Sequence, residues 1–380
     1  PNQGDGAITL AVTPYLKTLG VPSRGRIFEI PKNIKYDIIM PHMNYYIQKS
    51  KEVVSIYLDY VSKDDLHIYS IDECFLDVTH YLKLYKKTDY ELAKEILENI
   101  YKKTGLTATA GIGPNMLLAK VSMDIEAKHN KDNISKWTYE DVEKKLWKIS
   151  PLSNMWGIGK NMERNLNKMN IFSIEDLAKT SSGILKDKFG VIGLELWNHA
   201  NGIDTSKISD FNGQTKDKSY SNSQVLFKDY NEKNIFLIIN EMVDNLCERL
   251  RKNNKEAACF GLGITYSKNT PGGFYHNVKL DNSTNKSNDF IKYANLIFDK
   301  FYEGLPIRKV TVCAGKLTDK LGTQLNLFEK YEEKEKNDNI NLTLDVIKKK
   351  YGKNSVLKAS SLLEDSTVKD RNKKIGGHNA

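Results

Sequence analysis

Two adjacent carboxylates, Asp72 and Glu73, lie in the run Leu66–Val78, LHIYSIDECFLDV. Inside a regular strand, neighbouring side chains point to opposite faces. To converge on one site the pair must sit at a strand end or in a tight hairpin turn. The apolar flanks, Leu66–Ile71 and Cys74–Val78, predict the two arms of such a hairpin. Carboxylates placed there suit Mg²⁺, a hard cation that takes one or two carboxylates plus substrate phosphates. Two such ions, about 3.5–4 Å apart, can activate an attacking hydroxyl and stabilise a leaving pyrophosphate. As a dipeptide alone, Asp-Glu is equally what a solvated turn looks like. The surrounding elements must decide.

Those elements alternate between strand and helix. A long amphipathic stretch, Met43–Tyr60, precedes the acidic run. After it, Thr88 and Glu91 form a capping box, Leu92, Ile96 and Ile100 share one face, and Gly105 ends the helix. The small-residue run LTATAGIG (106–113) predicts a strand. Pro114 predicts the first residue of a helix reaching about Lys128. This order implies an α/β sheet domain. From Thr138 to about Asn201 the pattern is helical, and within it Gly157-Ile158-Gly159-Lys160 predicts a turn between two helices. The polar stretch between Ile203 and Ser221 reads as a linker. Strand 219–227, helix 234–252, strands 259–267 and 272–280, helix 288–302 and strand 309–317 then spell β-α-β-β-α-β. The charged run EKYEEKEKNDN from Glu329 predicts a flexible tether, with a short helix near Leu342–Tyr351 ended by Gly352.

Composition bounds the function classes. The 380 residues suit several domains, and 40% hydrophobic content suits ordinary cores. Lys and Arg outnumber Asp and Glu by 57 to 48, a net charge of +9 that favours a polyanionic partner. Residues 215–320 hold 17 Lys and Arg against 12 Asp and Glu, +5, over half of the total. The four cysteines lie far apart with no C-x-x-C pair. That argues against zinc and against a disulfide framework, and fits a reducing cytoplasm. No membrane span or signal peptide is visible.

The string Y-S-I-D-E-C-F-L-D-V-T (69–79) closely resembles the palm signature of Y-family, UmuC/DinB-type translesion DNA polymerases. The resemblance covers nearly the whole chain and implies an α+β multidomain right hand. It predicts fingers with partial palm (1–60), palm (61–150), helix-hairpin-helix thumb (151–205), linker (206–218), little finger (219–320) and a C-terminal tail (321–380). It implies that Asp72 binds two Mg²⁺ ions and Glu73 one, with Asp77 structural. GIGPNMLLAKVSMDIEAK (111–128) resembles a segment whose lysine contacts the incoming nucleotide's triphosphate. Lys128 fits that role best, with Lys120 roughly 12 Å earlier along a helix. GAITLAVTPYLKTLGV resembles the fingers, where Thr13, Tyr15 and Lys17 stand for the phosphate grip, without the family's Arg. In the thumb, Gly157, Ile158, Gly159 and Lys160 are expected to bring backbone N–H groups to DNA phosphates. Q-L-x-L-F at Gln324, Leu325, Leu327 and Phe328 resembles a peptide that binds the sliding clamp, with Leu327 and Phe328 filling an apolar pocket. The last segment resembles tails of UvrX-type members from Gram-positive bacteria.

The expected partners are primed DNA, deoxynucleoside triphosphates and the clamp. The family also has a first palm strand carrying another metal-binding Asp and an aromatic steric gate. That strand is expected ahead of Pro1, since Asp5 comes too late in the order, so the chain as given is expected to be inactive and its longer parent active. Two alternatives remain open on the residues: a non-catalytic DNA- and clamp-binding accessory protein, and a metal nuclease or glycosylase using the hairpin motif.

Overall fold

A computed structural model describes residues 6–211, 219–320 and 331–380, the last stretch in side-chain detail from Asn339. Two units form, Asn44–Gln214 and Pro1–Met43 with Thr215–Ala380. In the first segment, Ile8 bridges Arg26. Thr13 caps a one-turn helix, α1 (Pro14–Thr18), by accepting from the Leu16 N–H.

In Asn44–Gln214, helix α2 (Met43–Tyr57) leads to strands β1 (Leu66–Ile68) and β2 (Cys74–Leu76). These pair antiparallel, Leu66 opposite Leu76 and Ile68 opposite Cys74, which is the expected hairpin. After the short α3 (Tyr81–Tyr85), helix α4 (Asp89–Thr104) has the expected ends. The Thr88 N–H donates to Glu91 Oε2 at 2.8 Å, the Glu91 N–H donates to Thr88 Oγ1 at 3.2 Å, and Gly105 closes it with φ +71°. Leu92, Ile96 and Ile100 are buried with Ile56, Tyr60, Val61 and Leu66, so α2, α4 and the hairpin share a core.

Strand β3 (Ala110–Ile112) pairs in parallel with β4 (Ile134–Lys136), and helix α5 (Met116–Ile125) is the crossover. The small residues of β3 matter because α5 packs backbone against backbone. A Cβ on Gly111 would lie 2.0 Å from the Ala119 carbonyl oxygen, and one on Gly113 would lie 2.5 Å from the Ala119 nitrogen. Two expectations are corrected here. Pro114 precedes the cap rather than opening the helix: Asn115 is the N-cap and accepts from the Leu118 N–H at 2.9 Å. The helix stops at Ile125, and Ala127–His129 form a separate 3₁₀ turn.

Short helix α6 (Asp141–Lys144) is followed by α7 (Lys160–Asn167), α8 (Ile174–Lys179), α9 (Ser182–Phe189) and α10 (Val191–Ala200). Leu117, Leu118 and Val121 of α5 share one buried cluster with Leu152, Met155, Ile158, Leu166, Leu177 and Leu196. Part of the expected linker is instead a helical turn, α11 (Ile208–Phe211), because Phe211 stacks on His67 of β1 at 4.2 Å.

In the other unit, β5 (Tyr220–Tyr230), α12 (Ile235–Lys252), β6 (Lys255–Tyr266), β7 (Gly273–Thr284), α13 (Ser287–Phe301) and β8 (Ile307–Asp319) make the expected β-α-β-β-α-β order. The sheet order is β5-β8-β6-β7, antiparallel throughout. Both helices cover one face, burying Phe260, Leu262, Ile264, Val310 and Val312. The charged run is corrected from a tether to part of a helix, α14 (Tyr331–Tyr351), which ends at Gly352 with φ +95°. Arg251 of α12 holds Asp345 of α14 through two N–H bonds, at 2.6 and 2.9 Å. The tail continues through α15 (Val368–Arg371) into a small hairpin, β9 (Lys374–Ile375) with β10 (His378–Asn379).

Candidate active site

The hairpin turn that carries the two carboxylates is tied through its backbone. The N–H groups of Tyr69 and Ser70 both donate to the Glu73 carbonyl at 3.0 Å. The Ser70 hydroxyl donates to Asp72 Oδ1 at 2.7 Å and accepts from the Asp72 N–H at 3.3 Å. Asp77 lies one strand on and caps the next turn, accepting from the Thr79 N–H at 3.0 Å. Hydrogen bonding from the Thr79 side chain, with the backbone bond adding to it, holds its carboxyl below the usual range. Burial, reinforced by Asp72 and Glu73, pushes the Cys74 thiol up to about 11, so it stays protonated.

The backbone-close packing of α5 on β3 seats Lys120 against this turn. Its ammonium is buried and lies 2.6 Å from Glu73 Oε1 and 3.0 Å from Asp124 Oδ2. Lys128 is exposed and bonds the other oxygen of the same Asp124 at 2.7 Å. The expectation that both lysines lie on one helix is corrected: α5 ends at Ile125, and Lys128 sits in the following 3₁₀ turn. Both ammonium groups pair with one carboxylate, that of Asp124. Asp124 was missed in the sequence, although it sits four residues from each lysine, the spacing at which helical side chains meet.

Hard oxygen donors at a turn, one already neutralised by an ammonium, are the chemistry a divalent cation replaces. Asp72 and Glu73 therefore fit Mg²⁺. Among the described residues no three His, Cys, Asp or Glu side chains are grouped to hold a metal.

The thumb turn follows a 3₁₀ turn, Leu152–Asn154, rather than the expected preceding helix. Gly157 has φ +92°, which only glycine adopts freely. Gly159 is the N-cap of α7 in ordinary extended backbone, and nothing lies within 4 Å of where its Cβ would stand. Open space at a helix N-terminus is what an approaching phosphate needs. Ile158 is buried in the core and offers only its backbone, while Lys160 is exposed. Trp156, not singled out in the sequence, reaches the acidic hairpin: its Nε1–H donates to the Tyr69 hydroxyl at 3.0 Å.

Comparison with known proteins decides the family. The impB/mucB/samB family model matches residues 2–124, and its C-terminal domain model matches residues 217–327. The model of the DNA polymerase-iota thumb domain matches residues 153–204. A Bacillus subtilis (strain 168) protein named for UV-damage repair, UvrX, is 39% identical over 98% of this chain and 88% of its own length. DNA polymerase IV 2 of the same organism is 33% identical over 98% of this chain and 90% of its own length. The chain belongs to the Y family. The solved structure titled "Y-family DNA polymerase chimera Dbh-Dpo4(243-245)-Dbh" superposes with a TM-score of 0.62 at 19% identity, over 80% of this chain and 86% of its own. This gives the α+β multidomain Y-family fold with a helix-hairpin-helix thumb.

Within this Y-family chain, ion pairs link Glu73, Lys120, Asp124 and Lys128 in the unit Asn44–Gln214, and Asp72 precedes Glu73 in the same turn. Gly157–Lys160 lie in the same unit. Thr13, Tyr15 and Lys17 belong to the other unit, with Tyr15 and Lys17 exposed. Gln324, Leu325, Leu327 and Phe328 lie outside the described residues. No helix of the described residues is long and apolar enough to cross a membrane.

Proposed function

We propose that the chain extends a primer along a DNA template past damaged bases by two-metal nucleotidyl transfer, with Asp72 and Glu73 as catalytic carboxylates. The observation that carries this is the tied turn, which holds Asp72 on the Ser70 hydroxyl at 2.7 Å and Glu73 on the Lys120 ammonium at 2.6 Å. Asp72 and Glu73 would hold the Mg²⁺ ions, which supply the positive charge that activates the primer hydroxyl and steadies the leaving pyrophosphate. Lys120 keeps Glu73 oriented and, with Lys128, offers ammonium groups to the triphosphate. Thr13, Tyr15 and Lys17 are the residues that the fingers resemblance assigns to the nucleotide's phosphates. Lys160 and the backbone of Gly157, Ile158 and Gly159 hold a DNA phosphate and so position the duplex without reading sequence. The Gln324–Phe328 peptide would tether the enzyme to the sliding clamp, raising its local concentration on DNA. The proposal places the protein in the cytoplasm, in DNA repair. Relatives named DNA polymerase IV and UvrX support this reading.

The test is primer extension with Mg²⁺ by the full gene product on a primed, lesion-bearing template. Asp72→Ala and Glu73→Ala should each slow extension about a hundredfold or more, because each removes a carboxylate that would hold the ions stabilising the transition state. Salt-sensitive DNA binding without any extension by the unaltered protein would instead support a DNA- and clamp-binding accessory role.

A further inference from the structure

The turn that would hold DNA and the turn that would hold metal come from segments 87 residues apart, yet one side chain joins them. Trp156 immediately precedes Gly157-Ile158-Gly159. Its ring meets Tyr69 edge-on at 5.9 Å and Phe75 of β2 at 6.2 Å, while its indole N–H donates to the Tyr69 hydroxyl at 3.0 Å. Its other neighbour is His199 of α10, stacked 6.1 Å away at 8°. His199 is buried, with no partner for Nδ1, so its ring serves there as a flat apolar backstop. Burial keeps this imidazole below its ordinary pKa, against the opposing charges of Asp204 and Glu195. Tyr69 in turn gives its backbone N–H to the Glu73 carbonyl, the bond that closes the carboxylate turn.

We infer that Trp156 is a positioning residue: through Tyr69 it fixes the phosphate-holding turn of the thumb relative to Asp72 and Glu73, setting the register between the bound primer end and the catalytic carboxylates. This rests on the polymerase reading above. A Gly-Ile-Gly turn has little stiffness of its own. Met155 and Ile158 anchor it in the core, and the Ile158 N–H donates to the Met155 carbonyl at 3.1 Å, but this bond stays within the turn. Trp156 supplies the second point, and that point lies on the catalytic hairpin. Trp156 packs against the buried cluster that holds Leu152, Met155 and Ile158, and beyond that packing its N–H is spent on a phenol one residue from the acidic turn. A displacement of about 1 Å between reacting groups can cost up to about a hundredfold in rate. Loss of the hydrogen bond alone, with both rings retained, should therefore slow the bond-forming step about tenfold.

The experiment uses the full gene product with Tyr69→Phe, Trp156→Phe and both together. Single-turnover extension is measured at saturating primed DNA, nucleotide and Mg²⁺, alongside DNA affinity by fluorescence anisotropy and the thermal midpoint. Tyr69 is partly exposed and its ring is kept, so the first variant should fold. Each single variant should extend about tenfold more slowly with DNA affinity and midpoint unchanged. The double variant should be no slower than the slower single, since both remove the same bond. Unchanged rates, additive losses, or slowing that merely tracks a fall in affinity or midpoint would overturn the inference. Asp72→Ala in the same assay separates the two claims. No extension by the unaltered protein removes the polymerase reading itself, and full extension by Asp72→Ala removes its catalytic assignment, whereas failure of Asp72→Ala beside a full-rate Tyr69→Phe removes only the tie.

Discussion

Lys120 is the residue on which the site's electrostatics turn. Burial by itself would push its ammonium down, but hydrogen bonds and charge from Glu73 and Asp124 outweigh that and hold it above its ordinary pKa. It thus occupies a carboxylate that the proposed function assigns to Mg²⁺, and the two cations compete for Glu73. Lys120→Met should expose this. Breaking a buried ion pair costs about 3–5 kcal/mol, but Glu73 and Asp124 are each about a third exposed, so about 1–2 kcal/mol is the expected loss. Without Mg²⁺ the variant should melt several degrees lower. Adding Mg²⁺ should raise its midpoint by more than the wild type's, because one competitor is gone. Equal Mg²⁺ shifts in the two proteins would show that Lys120 does not compete. The sequence made Asp72 and Glu73 legible because their turn is local and their flanks pattern as strands. It did not show the Lys120–Glu73 contact, which joins residues 47 apart through the close packing of α5 on β3. Trp156 and His199 were invisible for the same reason: an aromatic residue in a helical pattern looks like ordinary core until its partner across the fold is known.

Helices and strands whose signals lie within a few residues were read well, as the capping box of α4 and the β1–β2 hairpin show. The C-terminal segment was not, because what orders it is a surface elsewhere. Helix α12 carries Glu241, buried in spite of its charge. The tail supplies its donors: the Ser366 hydroxyl at 2.5 Å and the Thr367 N–H at 3.3 Å. Thr367 also bonds Gln224 of β5 at 2.9 Å, and Arg371 reaches the same glutamine at 3.0 Å. Asp365 accepts from Asn234 and pairs with Lys228, while its carbonyl accepts from the Tyr230 hydroxyl. The tail is thus a clasp across α12 and β5, its polar groups matched to theirs. Thr367→Val keeps the shape and deletes the hydroxyl, leaving Gln224 short of a partner in a part-buried site. The expected cost is about 1–3 kcal/mol, read as a lower urea midpoint with an unchanged slope. A changed slope would mean that the clasp had come away altogether.

Across the molecule, charge is unevenly spread, and the fold directs the excess. The sheet of the β-α-β-β-α-β module buries one face beneath α12 and α13 and leaves the other open. The open-face positions at Ser221, Ser223 and Val225, at Cys259, Gly261, Gly263 and Thr265, at Tyr275, Asn277 and Lys279, and at Lys309, Thr311 and Cys313 are small, polar or basic, and none is acidic. A flat face of this composition can approach a phosphate backbone without a carboxylate opposing it. The flatness has a cause: a Cβ on Gly261 or Gly263 would lie 2.7 Å from the Tyr275 side chain, so the glycines let that ring lie down on the sheet. Composition alone foretold a polyanion partner, but not the face, because which alternate residues point outward depends on where the helices pack. If Lys279 and Lys309 each neutralise a phosphate, each releases condensed counterions when DNA binds. Changing both to Ala should then weaken binding to any duplex sequence equally and make the log–log salt dependence shallower by about 0.9 per lysine. Binding titrations between low and moderate salt, on two unrelated sequences, measure both effects. A loss of affinity at constant slope would place these lysines off the DNA and send the electrostatic contact to another face of the chain.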